Sequence, residues 1–243
     1  WALRDHSGAW TVFDGTPLEP EPDPRTPHAI CSRGGTTVAV GSSGLIRTTR
    51  RFGEWQAGDT GRFWPTLAAE ASATMPMVFI GGNSGVGWGG AWEMVWRSTD
   101  GLSTERTWFA DGRPPLAVAS CQRDWLVLRD PTQPTRLLAG RDGAGWQELE
   151  APTTPGEEIT GLAGGDDRGF LLLAWDGEQA RVYEQPRGAT EWSATPVPVG
   201  TPLRAATATV TGWAAVGDDG WTAVAAADGP WSVQQLGGEG ATF

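Results

Sequence analysis

Short apolar runs separated by polar turns pattern this chain: TTVAV (36–40), MVFI (77–80), WLVL (125–128), FLLLAW (170–175) and WAAVG (213–217). Each run is short, rich in β-branched or aromatic residues, and bounded by Gly, Pro, Asp or Ser, which predicts strands. No stretch repeats apolar residues at i, i+3, i+4 and i+7, so no helix is predicted. The runs group into units of strand, tight turn and strand, followed by a second turn closed by tryptophan. The closing segments are DHSGAW (Trp10), RRFGEW (Trp55), STERTW (Trp108), RDGAGW (Trp146), RGATEW (Trp192) and ADGPW (Trp231). Successive closing tryptophans lie 45, 53, 38, 46 and 39 residues apart. Several short strands in a period of ~40–50 residues predict propeller blades.

Packing gives the tryptophan its place. A four-stranded sheet cannot bury both faces alone, so a large flat side chain on the outer strand fills the gap to the neighbouring sheet. The six closing tryptophans are therefore structural in expectation. Complete units are predicted at 28–58, 66–110, 116–150, 158–196 and 203–236. Residues 1–14 supply only the outer half of a unit, and 240–243 would begin its inner half. The fold class is thus all-β: one β-propeller domain over 1–243, with six blades of four antiparallel strands and the first shared by both chain ends. Ring closure of that kind removes exposed sheet edges. An incomplete seven-bladed ring is the alternative. The proline–acid run TPLEPEPDPRTP (16–27) cannot pair in a sheet interior and is placed as a surface connection.

Composition narrows the partners. The net charge of −11 repels nucleic-acid phosphate and anionic lipid faces, so neither is expected as a partner. No run reaches the ~18 apolar residues of a membrane span. All 18 basic residues are arginine and Asn83 is the lone asparagine, which points to a high-GC bacterial source. The chain starts at Trp1, so export is left open, and an even cysteine count leans towards an extracytoplasmic or secreted setting. Cys31 and Cys121 fall on inner strands of non-adjacent units, beyond the ~7 Å a disulfide allows. Buried thiols are the expectation, with a bridge as the alternative. A monomeric domain is expected.

The closing turns resemble degenerate Asp-box (BNR-type) repeats, whose pattern is S-x-D-x-G-x-T-W. Ser98-Thr99-Asp100-Gly101 matches its start, with Trp108 too far downstream; 139–146 keeps Gly143 and Trp146; 3–10 keeps Asp5 and Trp10. Such repeats occur in sialidase-like propellers, sortilin-type receptors and photosynthetic assembly factors. The resemblance implies a propeller and leaves the activity open. Sialidase chemistry, as that family has it, uses an arginine triad, a late tyrosine paired with a glutamate, and an acid/base aspartate. Here the single tyrosine, Tyr183, sits mid-strand in the fifth unit, where packing is the simpler role.

Other chemistry is thinly supplied. His6 and His28 have no companions at metal-ligand spacing, no stretch follows a calcium-loop pattern, and GGNSGVGWGG opens no helix that would cradle phosphate. No cofactor and no metal are expected. The acid pairs Asp166-Asp167 and Asp218-Asp219 read as turn residues, although two carboxylates about 5–10 Å apart would suffice for a glycosidase. In a propeller the loops joining second to third strands share one face with the connections between blades. That face is predicted to carry Asn83, Trp88, Trp92, Arg129, Asp130, Asp176, Glu178, Asp218 and Asp219 as candidate ligand contacts, with Arg129 as the cation among them. Trp88 and Trp92, on a glycine-rich loop (81–92), would suit stacking on a sugar or anchoring a partner; folding back over the third unit is the plain alternative. The expected function is non-catalytic binding or scaffolding of a protein or carbohydrate through these loops. A glycoside hydrolase-like enzyme using two of these carboxylates is the alternative.

Overall fold

The computed structural model describes residues 2–4, 10–12, 27–33, 36–41, 45–50, 56–59, 66–71, 77–84, 91–99, 103–129, 136–227 and 229–236. Among them, a hairpin of β1 (Ala2–Arg4) and β2 (Trp10–Val12) precedes five antiparallel meanders of four strands. Sheet I holds β3 (Pro27–Arg33), β4 (Thr36–Gly41), β5 (Leu45–Arg50) and β6 (Gln56–Asp59). Sheet II holds β7 (Thr66–Ala71), β8 (Met77–Ser84), β9 (Ala91–Ser98) and β10 (Glu105–Asp111). Sheet III holds β11 (Ala117–Cys121), β12 (Asp124–Leu128), β13 (Arg136–Arg141) and β14 (Ala144–Glu150). Sheet IV holds β15 (Glu158–Gly165), β16 (Gly169–Trp175), β17 (Ala180–Pro186) and β18 (Ser193–Val197). Sheet V holds β19 (Leu203–Ala208), β20 (Gly212–Gly217), β21 (Trp221–Ala226) and β22 (Ser232–Gln235). In every sheet the strands pair in sequence order, and the first strand meets the first strand of the next sheet. This is the propeller arrangement. The five predicted unit boundaries agree with the sheets to within one residue at each end. The blade that the two chain ends would share falls on residues outside the described set at 237–243.

Two-residue periodicity explains why the central strands are apolar on both sides. On β12, Trp125 and Val127 enter the cluster with Val78, Ile80 and Val95 of sheet II. Leu126 and Leu128 turn the other way, towards Phe170, Leu172 and Ile159 of sheet IV. On β16 the same split sends Leu171 and Leu173 to Trp213 and Ala215 of sheet V. The inner strands approach so closely that side chains are excluded. A Cβ on Gly164 of β15 would lie 2.1 Å from the Ser120 carbonyl oxygen of β11, and one on Gly161 would lie 2.9 Å from the Arg204 oxygen of β19.

The closing tryptophans do the packing expected of them where their side chains are described. Trp146 is buried in the sheet II–III cluster and its indole N–H donates to Thr107 Oγ1 at 2.9 Å. Trp192 packs on the sheet III–IV clusters and Trp231 on the sheet IV–V cluster. Each of these three thus closes against the preceding sheet. Trp108 faces the following one instead. A register shift between Arg106 and Trp108 on β10 turns its ring towards the sheet II–III cluster, and Trp96 and Trp92 of β9 cover the side facing sheet I.

Candidate ligand-binding face

The β16–β17 and β20–β21 loops and the connectors that follow sheets II, III and IV lie at one end of the strands, because each meander starts and finishes there. Charged side chains concentrate at the seams beneath this face. In the sheet II–III seam, Glu93 of β9 is buried and accepts a bond from Arg129 Nε at 2.8 Å and one from the Trp108 indole at 3.2 Å. Arg129 Nη2 forms a second, short contact to Glu93, and Arg129 Nη1 reaches Glu148 on β14 at 2.9 Å. Burial opposes the Arg129 charge, but Glu93 and then Glu148 outweigh it and hold its pKa above the ordinary value.

Glu157, at the mouth of β15, is held in the same manner. Tyr183 Oη donates to it at 2.5 Å, the Thr154 backbone N–H at 2.8 Å, and Arg181 Nη1 lies 3.1 Å away. A tyrosine bonded to a glutamate is the pair sialidase chemistry uses. Here the phenol is 3% exposed and packs among Leu128, Leu172 and Ile159, so the pair braces a seam and is closed to substrate.

Sheet V contributes the most open element. Arg204, at the start of β19, binds both Asp218 oxygens, with Nε 3.1 Å from each and Nη2 at 2.7 Å. The guanidinium lowers the Asp218 pKa, and the carboxylate raises that of Arg204. Asp219 follows with φ 55° in a short 3-10 turn, its carbonyl accepting from Gln235 Nε2 at 3.1 Å. In the β16–β17 loop, the Asp176 carboxylate accepts the Gln179 and Glu178 backbone N–H groups at 2.8 and 2.9 Å, which lowers its pKa.

Asp176 and Glu178 lie in the β16–β17 loop and Asp218 and Asp219 in the β20–β21 turn, at the same end of their sheets; the other candidate residues take different places. Asn83 and Trp92 are cross-strand partners that extend β8 and β9, so 81–84 and 91–92 of the predicted 81–92 loop are strand. Trp92 is half-buried against Met94 and Trp96 and lies 6.4 Å from the Phe109 ring, tilted by 43°, the fold-back arrangement. Trp88 and Asp130 lie outside the described residues. Arg129 is not the single cation of this face: it is committed to a buried ion pair, and Arg181 and Arg204 stand beside the acids. Glu93, Glu157, Arg181 and Arg204 escaped sequence reading. A trace existed for Glu93, a charged residue inside the apolar run AWEMVW (91–96). Among the described residues, no three His, Cys, Asp or Glu side chains converge to hold a metal ion.

Fold and face together define a β-propeller with an acidic connector face. No protein-family profile matches the sequence, and no curated protein does either. Solved structures do. YCF48 bound to D1 peptide superposes with a TM-score of 0.58 at 15% identity, over 87% of this chain and 68% of that one. YCF48 from Cyanidioschyzon merolae gives 0.57 at 15%, over 85% and 69%. Prp20p from Saccharomyces cerevisiae, described with its binding to Gsp1p and histones, gives 0.52 at 11%, over 82% and 58%. At these identities the likeness establishes the fold alone. The Asp-box resemblance gains no family from it.

Proposed function

We propose that this propeller is a non-catalytic binding or scaffolding module that docks a basic protein segment on its acidic connector face. The observation that carries this reading is the state of the exposed carboxylates. Asp176 and Asp218 are both held below the ordinary carboxylate range, by backbone N–H groups and by Arg204 respectively. A general acid needs the opposite shift, whereas fixed negative charge on a rigid rim suits recognition of a cationic partner. Two of the similar propellers are described with protein partners, a D1 peptide in one case and Gsp1p and histones in the other. That likeness supports a protein as the ligand class. A carbohydrate ligand and an extracytoplasmic location rest on sequence features alone.

The test is to pan a phage-displayed random peptide library on the immobilised chain and measure the enriched peptides by fluorescence anisotropy. Enriched sequences should carry Arg or Lys, and their affinity should fall with salt. The variant Asp176→Asn/Glu178→Gln should weaken binding about five-fold or more, and Asp218→Asn, whose charge Arg204 already partners, should weaken it less. Neutral or acidic consensus peptides, or affinities indifferent to both variants, would overturn the reading.

A further inference from the structure

The seam between sheets III and IV is less completely filled than the seam before it. The sheet II–III seam is closed by a tight turn, Asp142-Gly143, and by the buried Trp146. In sheet IV the equivalent turn runs from 187 to 192, and Trp192 ends only half-buried. A cleft of about 450 Å³ is left towards the hairpin-turn end of this seam, away from the connector face. Strand register supplies its walls. Leu126, Ala139 and Gln147 form one row across β12, β13 and β14, facing the cross-strand pair Phe170 and Gln185 of β16 and β17. Leu126, Phe170 and Cys121 are buried in one apolar cluster and floor the cleft. Ala139, between Leu126 and Gln147, has no side chain long enough to fill the space.

Polar groups rim this apolar floor. Arg141 continues the Ala139 side of β13, opposite Asp124 on β12. Arg187 stands on the sheet IV lip, and its contact to Asp167, at 3.5 Å, is open to water, the two side chains being 50% and 92% exposed. Among the described residues, no hydrogen bond or ion pair engages the side chains of Arg141, Gln147 and Gln185. We infer that the cleft binds a small monocarboxylate, its compact apolar body on Leu126, Ala139 and Phe170 and its carboxylate between Arg141 and Arg187. A hollow of this size, apolar below with a few polar groups converging above, has the dimensions of a small-molecule site. Two guanidinium groups against the single Asp124 leave its lining positive in a chain of net charge −11. Guanidinium is the group that matches a planar carboxylate with paired donors. Asp124 disfavours a head with a second negative charge, and the Gln147 and Gln185 amides supply further donors.

The test titrates the full, isotope-labelled chain with phenylpropionate and with the neutral phenylpropionamide, followed by heteronuclear NMR. The acid should shift the Gly169 and Gly188 amides saturably, with a Kd below about 1 mM, and phenylpropionamide should bind about five-fold more weakly or worse. Arg141→Gln should weaken the acid by about five-fold and leave phenylpropionamide unchanged, whereas Asp124→Asn should tighten the acid by about two-fold. Opposite effects from two exposed neighbours are what a merely structural role would not produce. Ala139→Leu should fill the cleft and abolish the saturable shifts; if that variant fails to fold, the Arg141→Gln arm decides alone. No saturable shift up to about 20 mM acid would overturn the inference, since such weak binding is what any exposed arginine gives. Equal affinity for acid and amide, indifference to Arg141→Gln, or shifts confined to Arg181 and Arg204 on the connector face would overturn it as well.

Discussion

The buried Glu93–Arg129 pair makes the sharpest demand on the fold. Glu93 has a side chain 2% exposed and takes three donor contacts, two from Arg129 and one from Trp108. Replacing Arg129 by Met keeps much of the packing but removes two of the three, leaving a carboxylate that water cannot reach. Glu148 loses little by the change, because it is 45% exposed. Breaking one side of a buried pair costs about 3–5 kcal/mol, since the desolvation of the survivor is no longer compensated. For a domain of this size that corresponds to a fall in melting temperature of roughly 6–20 °C. Guanidinium chloride unfolding followed by circular dichroism measures it directly. The double variant Glu93→Leu/Arg129→Met removes the charge as well and should recover most of the loss. If Arg129→Met costs under about 1 kcal/mol, or the double variant is no better than the single, the seam is not held by this pair.

Three further outcomes are expected. Gly164→Ala should destabilise the chain by about 3 kcal/mol or more, as its Cβ would meet the Ser120 carbonyl at 2.1 Å; a neutral result by urea denaturation would show that the inner strands separate easily. Because Asp218 titrates below its unfolded value, its contribution is present above the ordinary carboxylate range and lost as pH falls through the lowered folded pKa. Arg204→Gln should therefore flatten the stability–pH curve below about pH 4 and leave its neutral-side slope unchanged, which thermal melts across pH 2–7 would check. The Cys121 thiol is buried and its pKa is raised, by burial first and then by Asp124 and Asp166; in native protein at pH 8 it should react with an aromatic disulfide reagent at least ten-fold more slowly than in urea.

What was legible in the sequence was whatever local chemistry dictates. FLLLAW and WLVL declared strands buried on both faces, and the tryptophan period set the sheet boundaries, because each meander is built from hairpins whose turns are written in adjacent residues. The candidate face was legible only as a set of loops. Which acids stand free depended on arginines far away in sequence: Arg204 reaches Asp218 across 14 residues and Arg129 reaches Glu93 across 36. Such pairings are decided by strand register within a sheet in the first case and by which sheets become neighbours in the second. The glycine-rich run 81–92 misled for a related reason, since ladder pairing of Asn83 with Trp92 overrides the local preference of glycine for loops.

The succession of sheets also bears on how the chain folds. Every extensive contact between sheets joins sequence neighbours, so no sheet waits for a distant partner before it can form. Assembly can begin at any hairpin and spread by stacking, as in other quasi-one-dimensional architectures. Sheets III and IV, flanked on both sides, should be last to open, and their amides should exchange with solvent most slowly. Among the described residues, sheet V packs on sheet IV through Trp213 and Ala215 and should open before them. A destabilising change would then loosen sheet V before it melts the middle, and a protease would be expected to cut sheet V while sheets III and IV stay whole.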